Sequence, residues 1–248
     1  MSRGFTSAPW PSWDGWTQEL ASSLASCVNS PLSNDLLCHE TSEIKGGLIA
    51  LLKLGLNDHA VLKNIALNSY RHPLGFTKIL IWRGASGKSI RVHDWPSTQD
   101  ERSTAPLSDI HDHYWEFRSS ILRGALRFRE YEINETGEEY TKYEMNPLGN
   151  GNHILTKVAT VGLSLARTVV IPEGGRYALG ANTLHDTTST QGAISLVVQG
   201  AKTKTTNIVL RKGEGPQTID NSKLPHLRID ELQWLLRQLI IKLEPTHV

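Results

Sequence analysis

Asp109–Gly124 reads DIHDHYWEFRSSILRG, and its two histidines, His111 and His113, flank one residue. On a β-strand, residues two apart project from the same face. The strand reading therefore sends both imidazoles to one side. Two imidazoles on a shared face can hold one metal ion, with a third ligand from another strand and open positions for substrate. HxH on its own is also common in strands that bind nothing. The rest of the chain has to supply the third ligand.

Around this stretch the texture is that of an all-β protein. From Phe76 onward short apolar or alternating runs, such as FTKILIW, SIRVHDW, HILTKVATV, LARTVVI and AISLVVQG, are separated by glycine, proline and asparagine. Many short strands at regular spacing predict a barrel or sandwich. The two ends read as helix. Trp13, Trp16, Leu20, Leu24 and Val28 recur at helical spacing, and Pro31 follows. Leu48, Leu51, Leu52 and Leu54 mark a second helix, and Val61, Leu62, Ile65 and Ala66 a third. Near the C-terminus Leu232, Leu235, Leu236, Leu239, Ile240 and Leu243 form one apolar stripe, fit to cover a sheet or to form a dimer surface. The expected organisation is a helical segment over 1–72, a barrel over 73–215 and a C-terminal helix over 216–248.

Composition bounds the function. The 248 residues suffice for one large domain with an extension, and the net charge is +1. No global field draws the chain to nucleic acid or to an acidic membrane. The basic residues Arg118, Arg123, Arg127 and Arg129 are followed at once by the acidic run EYEINETGEEYTKYE, which predicts cross-strand charge pairs rather than a nucleic-acid surface. Two cysteines, Cys27 and Cys38, make no disulfide framework and fit a reducing cytoplasm. The opening MSRGFTSAPWPSWDGW lacks the apolar core of a secretory signal, and no stretch is long and apolar enough to span a membrane. A cytoplasmic location is expected.

The third histidine comes about seventy residues after the pair, in Ile171–Ser189, IPEGGRYALGANTLHDTTS, which ends a predicted strand on His185. Together the two stretches resemble the paired motifs of the cupin superfamily. The first motif is a glycine, HxH, a glutamate three or four residues on, and a second glycine; the second motif sets glycine, proline, glycine and histidine at fixed spacing. The resemblance covers about Phe76 to Arg211. It implies a double-stranded β-helix, or jelly-roll, barrel with a metal held inside by His111, His113 and His185. The chain departs from the pattern in places. Phe117 stands where the glutamate ligand belongs, and Glu116 is one residue off, on the opposite face unless a bulge turns it. Gly174 and His185 fit the second motif, while Gly180 and Asn182 replace its proline and second glycine.

Three histidines without a carboxylate resemble the thiol dioxygenases within that superfamily. This likeness implies Fe(II), dioxygen and a small chelating substrate such as an amino acid, thiol or carboxylate. Three imidazoles also suit Zn(II), Ni(II) and Cu(II). A zinc enzyme of non-redox chemistry, such as an isomerase or lyase, and a barrel that binds a small ligand without turnover therefore stay open. Around the metal, Arg91, His93 and Trp95 share one face of a strand, and Ile90 and Val92 the other. An apolar barrel interior would put Arg91 outside; helices packed on the outer face would put it inside, where it could clamp a carboxylate. If Arg91 faces in, His93 could support the ligands from behind; Tyr177 could orient substrate or a bound oxygen through its hydroxyl, or merely fill the barrel mouth; both are catalytic candidates, His153 is a candidate proton shuttle, and Trp115 and Phe117 are the expected apolar wall. A homodimer is an expectation that the resemblance alone suggests.

Overall fold

The structure is a computed structural model that describes residues 37–84, 87–96, 109–149, 152–189, 192–213, 218–219 and 224–245. The helix expected around Trp13 to Val28 lies outside these residues. Two helices open the described chain: α1, Leu37–Asn57, and α2, His59–Asn68. Asp58 caps α2, its carboxylate accepting from the backbone N–H of Ala60 and Val61 at 2.8 and 3.1 Å. Twelve strands follow: β1 Tyr70–Arg71, β2 Thr77–Arg83, β3 Ser89–Trp95, β4 Ile110–His111, β5 Trp115–Asn134, β6 Glu138–Gly149, β7 Asn152–Pro172, β8 Arg176–Leu179, β9 His185–Thr188, β10 Ala193–Lys202, β11 Asn207–Arg211 and β12 Thr218–Ile219. Helix α3, Ile229–Leu243, closes the chain. The fold is mainly antiparallel β.

The long strand β5 organises the sheet. Its first half pairs with β10 and β8, and its second half with β7 and β9. From β7 the pairings run through β6, β11, β4 and β9 back to β5, a closed circuit. The strands β1, β2 and β3 extend from β10. Gly124 sits where β5 changes partners. Its φ is 73°, and the register with β10 slips beside it, between Ile194 and Ser195. A Cβ there would stand 2.0 Å from the Gly192 carbonyl oxygen. Both the backbone angle and the space exclude a side chain. We expect Gly124→Ala to cost at least about 1–3 kcal/mol in stability; a denaturant midpoint equal to that of the parent would contradict this.

The sheet β2–β3–β10 is buried on both faces, because helices cover its outside. Ile79, Ile81, Ile90, Val92, Leu196 and Val198 point outward into one apolar cluster with Ile44, Leu48, Leu51, Leu62 and Ile65 of the first two helices. The α3 stripe enters the same cluster through Leu232, Leu236 and Leu239, all fully buried. The stripe therefore covers a sheet face. Leu239→Ala should cost about 2–5 kcal/mol, read as a drop in thermal or urea midpoint. The opposite faces of these strands line the interior. There Phe76, Trp95, Ile121, Leu126, Phe128 and Leu179 form a second apolar cluster, against which Phe117 and Tyr177 pack.

Candidate metal centre

The HxH strand is shorter than the sequence suggests. β4 ends at His111, and Asp112 and His113 lie in the link to β5. His111 pairs directly with His185 across β4 and β9. His113 is brought in by its backbone N–H, which donates to the Ala181 carbonyl at 3.1 Å. Alternation along one strand is thus not what aligns the two histidines. Cross-strand pairing delivers His185 to His111, and a loop-to-loop hydrogen bond delivers His113.

The three rings converge, with centroids 4.9–5.0 Å apart. One ligating nitrogen from each lies within 4.8 Å of the other two. His113 Nε2 and His185 Nε2 are 3.3 Å apart. Two nitrogens each about 2.0–2.1 Å from a tetrahedral metal would be separated by roughly that distance. Two tautomers are fixed by the backbone. His111 Nδ1 lies 2.8 Å from the Asp109 carbonyl oxygen, and His185 Nδ1 lies 2.9 Å from that of Thr183. A carbonyl only accepts, so each Nδ1 carries the proton and each Nε2 keeps its lone pair for the common point. The residues fit a metal ion. Glu116 is exposed and stays outside the group, which contains no carboxylate.

Each histidine segment is anchored by a carboxylate next to it in sequence. Arg211 grips the Asp109 carboxylate with two bonds, Nε at 2.8 Å and a terminal nitrogen at 2.5 Å. Asp112, 3% exposed, accepts from the Ile208 backbone N–H at 2.7 Å and from the Lys204 amine. Asp186, 2% exposed, accepts two bonds from Arg129, at 2.8 and 2.7 Å, and one from the Tyr131 hydroxyl at 2.9 Å. The sequence reading missed all three. A signal was present for Asp112 and Asp186: an aspartate one residue from a strand histidine points away from it and is free to brace the strand. Of the predicted cross-strand charge pairs, Arg129 thus meets Asp186 rather than the acidic run, and Glu130 pairs with Arg167.

Burial keeps the His113 and His185 imidazoles neutral. It lowers His185 to about 3, with His111 adding repulsion, and holds His113 well below the usual histidine range. His72, stacked on Phe76 at 4.4 Å, is likewise lowered by burial to about 3. Unfolded histidines titrate near 6.5. Between these limits the unfolded chain binds more protons than the folded one, so this contribution to stability is present above about pH 6.5 and is lost as pH falls toward about 3. The metal-free protein should show urea midpoints that decline from pH 7 to pH 4.5. A midpoint that holds or rises would count against neutral, buried imidazoles.

The structure also decides the face of Arg91. With Ile90 and Val92 packed under the helices, Arg91 projects from the opposite face of the strand, away from them, and is 8% exposed. Its guanidinium lies 5.3 Å from the Trp115 ring, and that ring stacks with His113 at 6.2 Å. Burial lowers Arg91 to about 10. Phe117 meets His113 edge-on at 5.0 Å, so Trp115 and Phe117 both flank the histidines. His93 also points inward, tilted against Phe76 at 4.5 Å. Tyr177 stands behind the wall, against Phe128 at 4.1 Å and Phe117 at 6.0 Å. The structure does not seat His153 with the three histidines; it stacks on Tyr114, whose hydroxyl donates to the Met145 carbonyl. Lys78, His93, His113 and Tyr177 are enclosed by protein yet keep some accessible surface.

No model of a known protein family matches the chain, and no curated protein matches it. Similar solved structures include hydroquinone 1,2-dioxygenase PnpCD in complex with Cd2+ and 4-hydroxybenzonitrile. That likeness has 13% identity and a TM-score of 0.32, over 66% of this chain and 78% of that chain. Hydroxypropylphosphonic acid epoxidase from S. wedmorenis is similar at 11% identity and a TM-score of 0.30, over 74% of this chain and 96% of that chain. An HTH_3 family transcriptional regulator from Vibrio cholerae is similar at 10% identity and a TM-score of 0.31, over 75% of this chain and 97% of that chain. Likenesses this distant carry no argument about activity. Among the described residues no helix is long and apolar enough to cross a membrane.

Proposed function

We propose that this chain is a mononuclear non-haem metal oxygenase built on a cupin-type jelly-roll barrel. One observation carries the reading: three imidazoles converge without a carboxylate, and two of them have Nε2 freed by Nδ1–H bonds to backbone carbonyls. His111, His113 and His185 would hold Fe(II), leaving positions for a small chelating substrate such as an amino acid, thiol or carboxylate, and for dioxygen. Bound there, the iron would supply the activation of dioxygen and of the chelated substrate.

The chain's own residues do the rest. Trp115 and Phe117 limit water at the histidines, which strengthens every electrostatic contact inside. Arg91 binds the anionic end of the substrate and holds it beside His113, across the Trp115 ring. His93 stands on the same strand face as Arg91, neutral by burial, and supports the site from behind the ligands. Tyr177 backs Phe117 and fixes the shape of the wall.

The donor set suits Zn(II) as well, which would make the metal a Lewis acid for an isomerisation or lyase reaction. One experiment separates the two. The protein is purified without oxygen and without added metal, its metal content is measured, and candidate acids and thiols are offered with and without dioxygen. Iron near one per chain with substrate-dependent oxygen uptake is the expected result. Zinc near one per chain, with turnover that survives without oxygen, would replace the oxygenase reading. No metal at all would leave a ligand-binding barrel.

A further inference from the structure

Beside the histidines two basic side chains, Lys78 and Arg91, share one face of adjacent strands, and neither meets an acidic partner among the described residues. Lys78 pairs directly with His93 across β2 and β3, and His93 pairs with Ser195 across β3 and β10. Arg91 stands two residues from His93 on the same face. Directly opposed side chains on one face lie about 5 Å apart and diagonal ones about 7–8 Å. These four residues therefore form one patch on three adjacent strands. Arg91 Nε, His93 Nε2 and Ser195 Oγ are all buried with no hydrogen-bond partner. The Lys78 amine donates one bond, to the Tyr70 hydroxyl at 3.0 Å, out of the three an ammonium can make. Among the described residues no aspartate or glutamate pairs with Arg91 or Lys78. The Tyr70 phenol lies in the field of Arg91, and burial raises its own pKa, so it supplies no negative charge near neutral pH.

Buried cations and orphaned donors are costly unless a partner satisfies them. An arginine fork, an amine, an imidazole and a hydroxyl on three strands offer more donors than the two oxygens of one carboxylate can use. We propose that this patch is the seat of a tetrahedral, dianionic phosphonate or phosphate group, and that the substrate of the neighbouring histidine centre carries such a group at the end away from the metal. The substrate part of this inference rests on the oxygenase reading; the anion seat stands without it. Arg91 and Lys78 bind the oxygens. Trp115, shared between Arg91 and His113, sets the spacing between the anionic end and the metal-binding end. Lys78 was not singled out by the sequence, because a lysine in FTKILIW reads as a solvated strand position.

The test uses the full chain, as purified and after removal of metal by a chelator, with methylphosphonate and acetate as probes in calorimetry. Methylphosphonate should bind once per chain in both samples, and acetate at least about tenfold more weakly, the difference expected of one or two charge-assisted bonds. Lys78→Gln and Arg91→Met should each weaken methylphosphonate by about tenfold or more while leaving acetate little changed in the lysine variant. Circular dichroism checks the fold of each, and if Arg91→Met does not fold, Lys78→Gln and the parent's preference decide. Equal binding of acetate, binding unchanged in Lys78→Gln, or methylphosphonate bound only when metal is present would overturn the proposal. Metal retained without phosphonate binding sinks the anion seat alone. Phosphonate binding in a chain that never takes up metal sinks the oxygenase reading alone and leaves the seat.

Discussion

A chain with His111 and His113 both changed to alanine should purify with almost no metal, while the parent holds close to one ion. Changes to groups that merely orient metal ligands cost about 10–100-fold in affinity, so removing two of three ligands should cost well over 100-fold. The effect should also appear in stability. Metal at a hundredfold excess over Kd should raise the parent's stability by about 2.7 kcal/mol, and the variant's not at all. The fold itself should survive in the variant, because neither side chain belongs to the apolar clusters. His185→Ala should behave alike. If the double variant bound metal as tightly as the parent, the centre would have been misplaced, whatever the ion.

The second large effect is expected at Asp112. Its carboxylate is 3% exposed and holds both the Ile208 N–H and the Lys204 amine. Burial pushes the carboxyl's pKa up, and those two bonds oppose the shift. Asp112→Ala leaves a backbone donor unmet and takes the counter-charge from a lysine that is only 21% exposed and keeps Asn182 Oδ1 as a neutral acceptor. The expected loss is about 2–4 kcal/mol, below that of a fully buried pair because Lys204 retains some contact with water. Asp112 is also the residue between the two histidines, so metal affinity should fall by about 10–100-fold. Urea denaturation and metal titration of the same variant separate the two effects. A loss of stability with unchanged metal affinity would make Asp112 a brace for β4 and β11 only.

Periodicity alone marked the helices of Leu48 to Ala66 and of the C-terminal stripe. Such stripes record which face must leave water, and that is a local property. The three histidines were legible too, since HxH and a distant strand-end histidine are visible as letters. The reason given for the convergence of His111 and His113 was incomplete. Strand alternation was expected to align them, but β4 stops at His111 and a hydrogen bond from His113 to Ala181 does the work. That bond joins residues far apart in sequence, and no local pattern encodes it.

The face of Arg91 shows the same limit from the other side. In SIRVHDW the alternation separates Arg91, His93 and Trp95 from Ile90 and Val92, but it does not say which set faces in. Both faces of that strand are buried, one by helices and one by the barrel. The sequence by itself determined the mainly β character, the helical stripes and the three candidate ligands, because residue type and spacing act locally. Only the tertiary structure decided that Arg91 and Lys78 share the face turned away from the helices, that His153 does not reach the histidines, and that Asp109, Asp112 and Asp186 brace the strands. Each of these depends on what a strand's far neighbours place against it, and burial and hydrogen bonding are settled there.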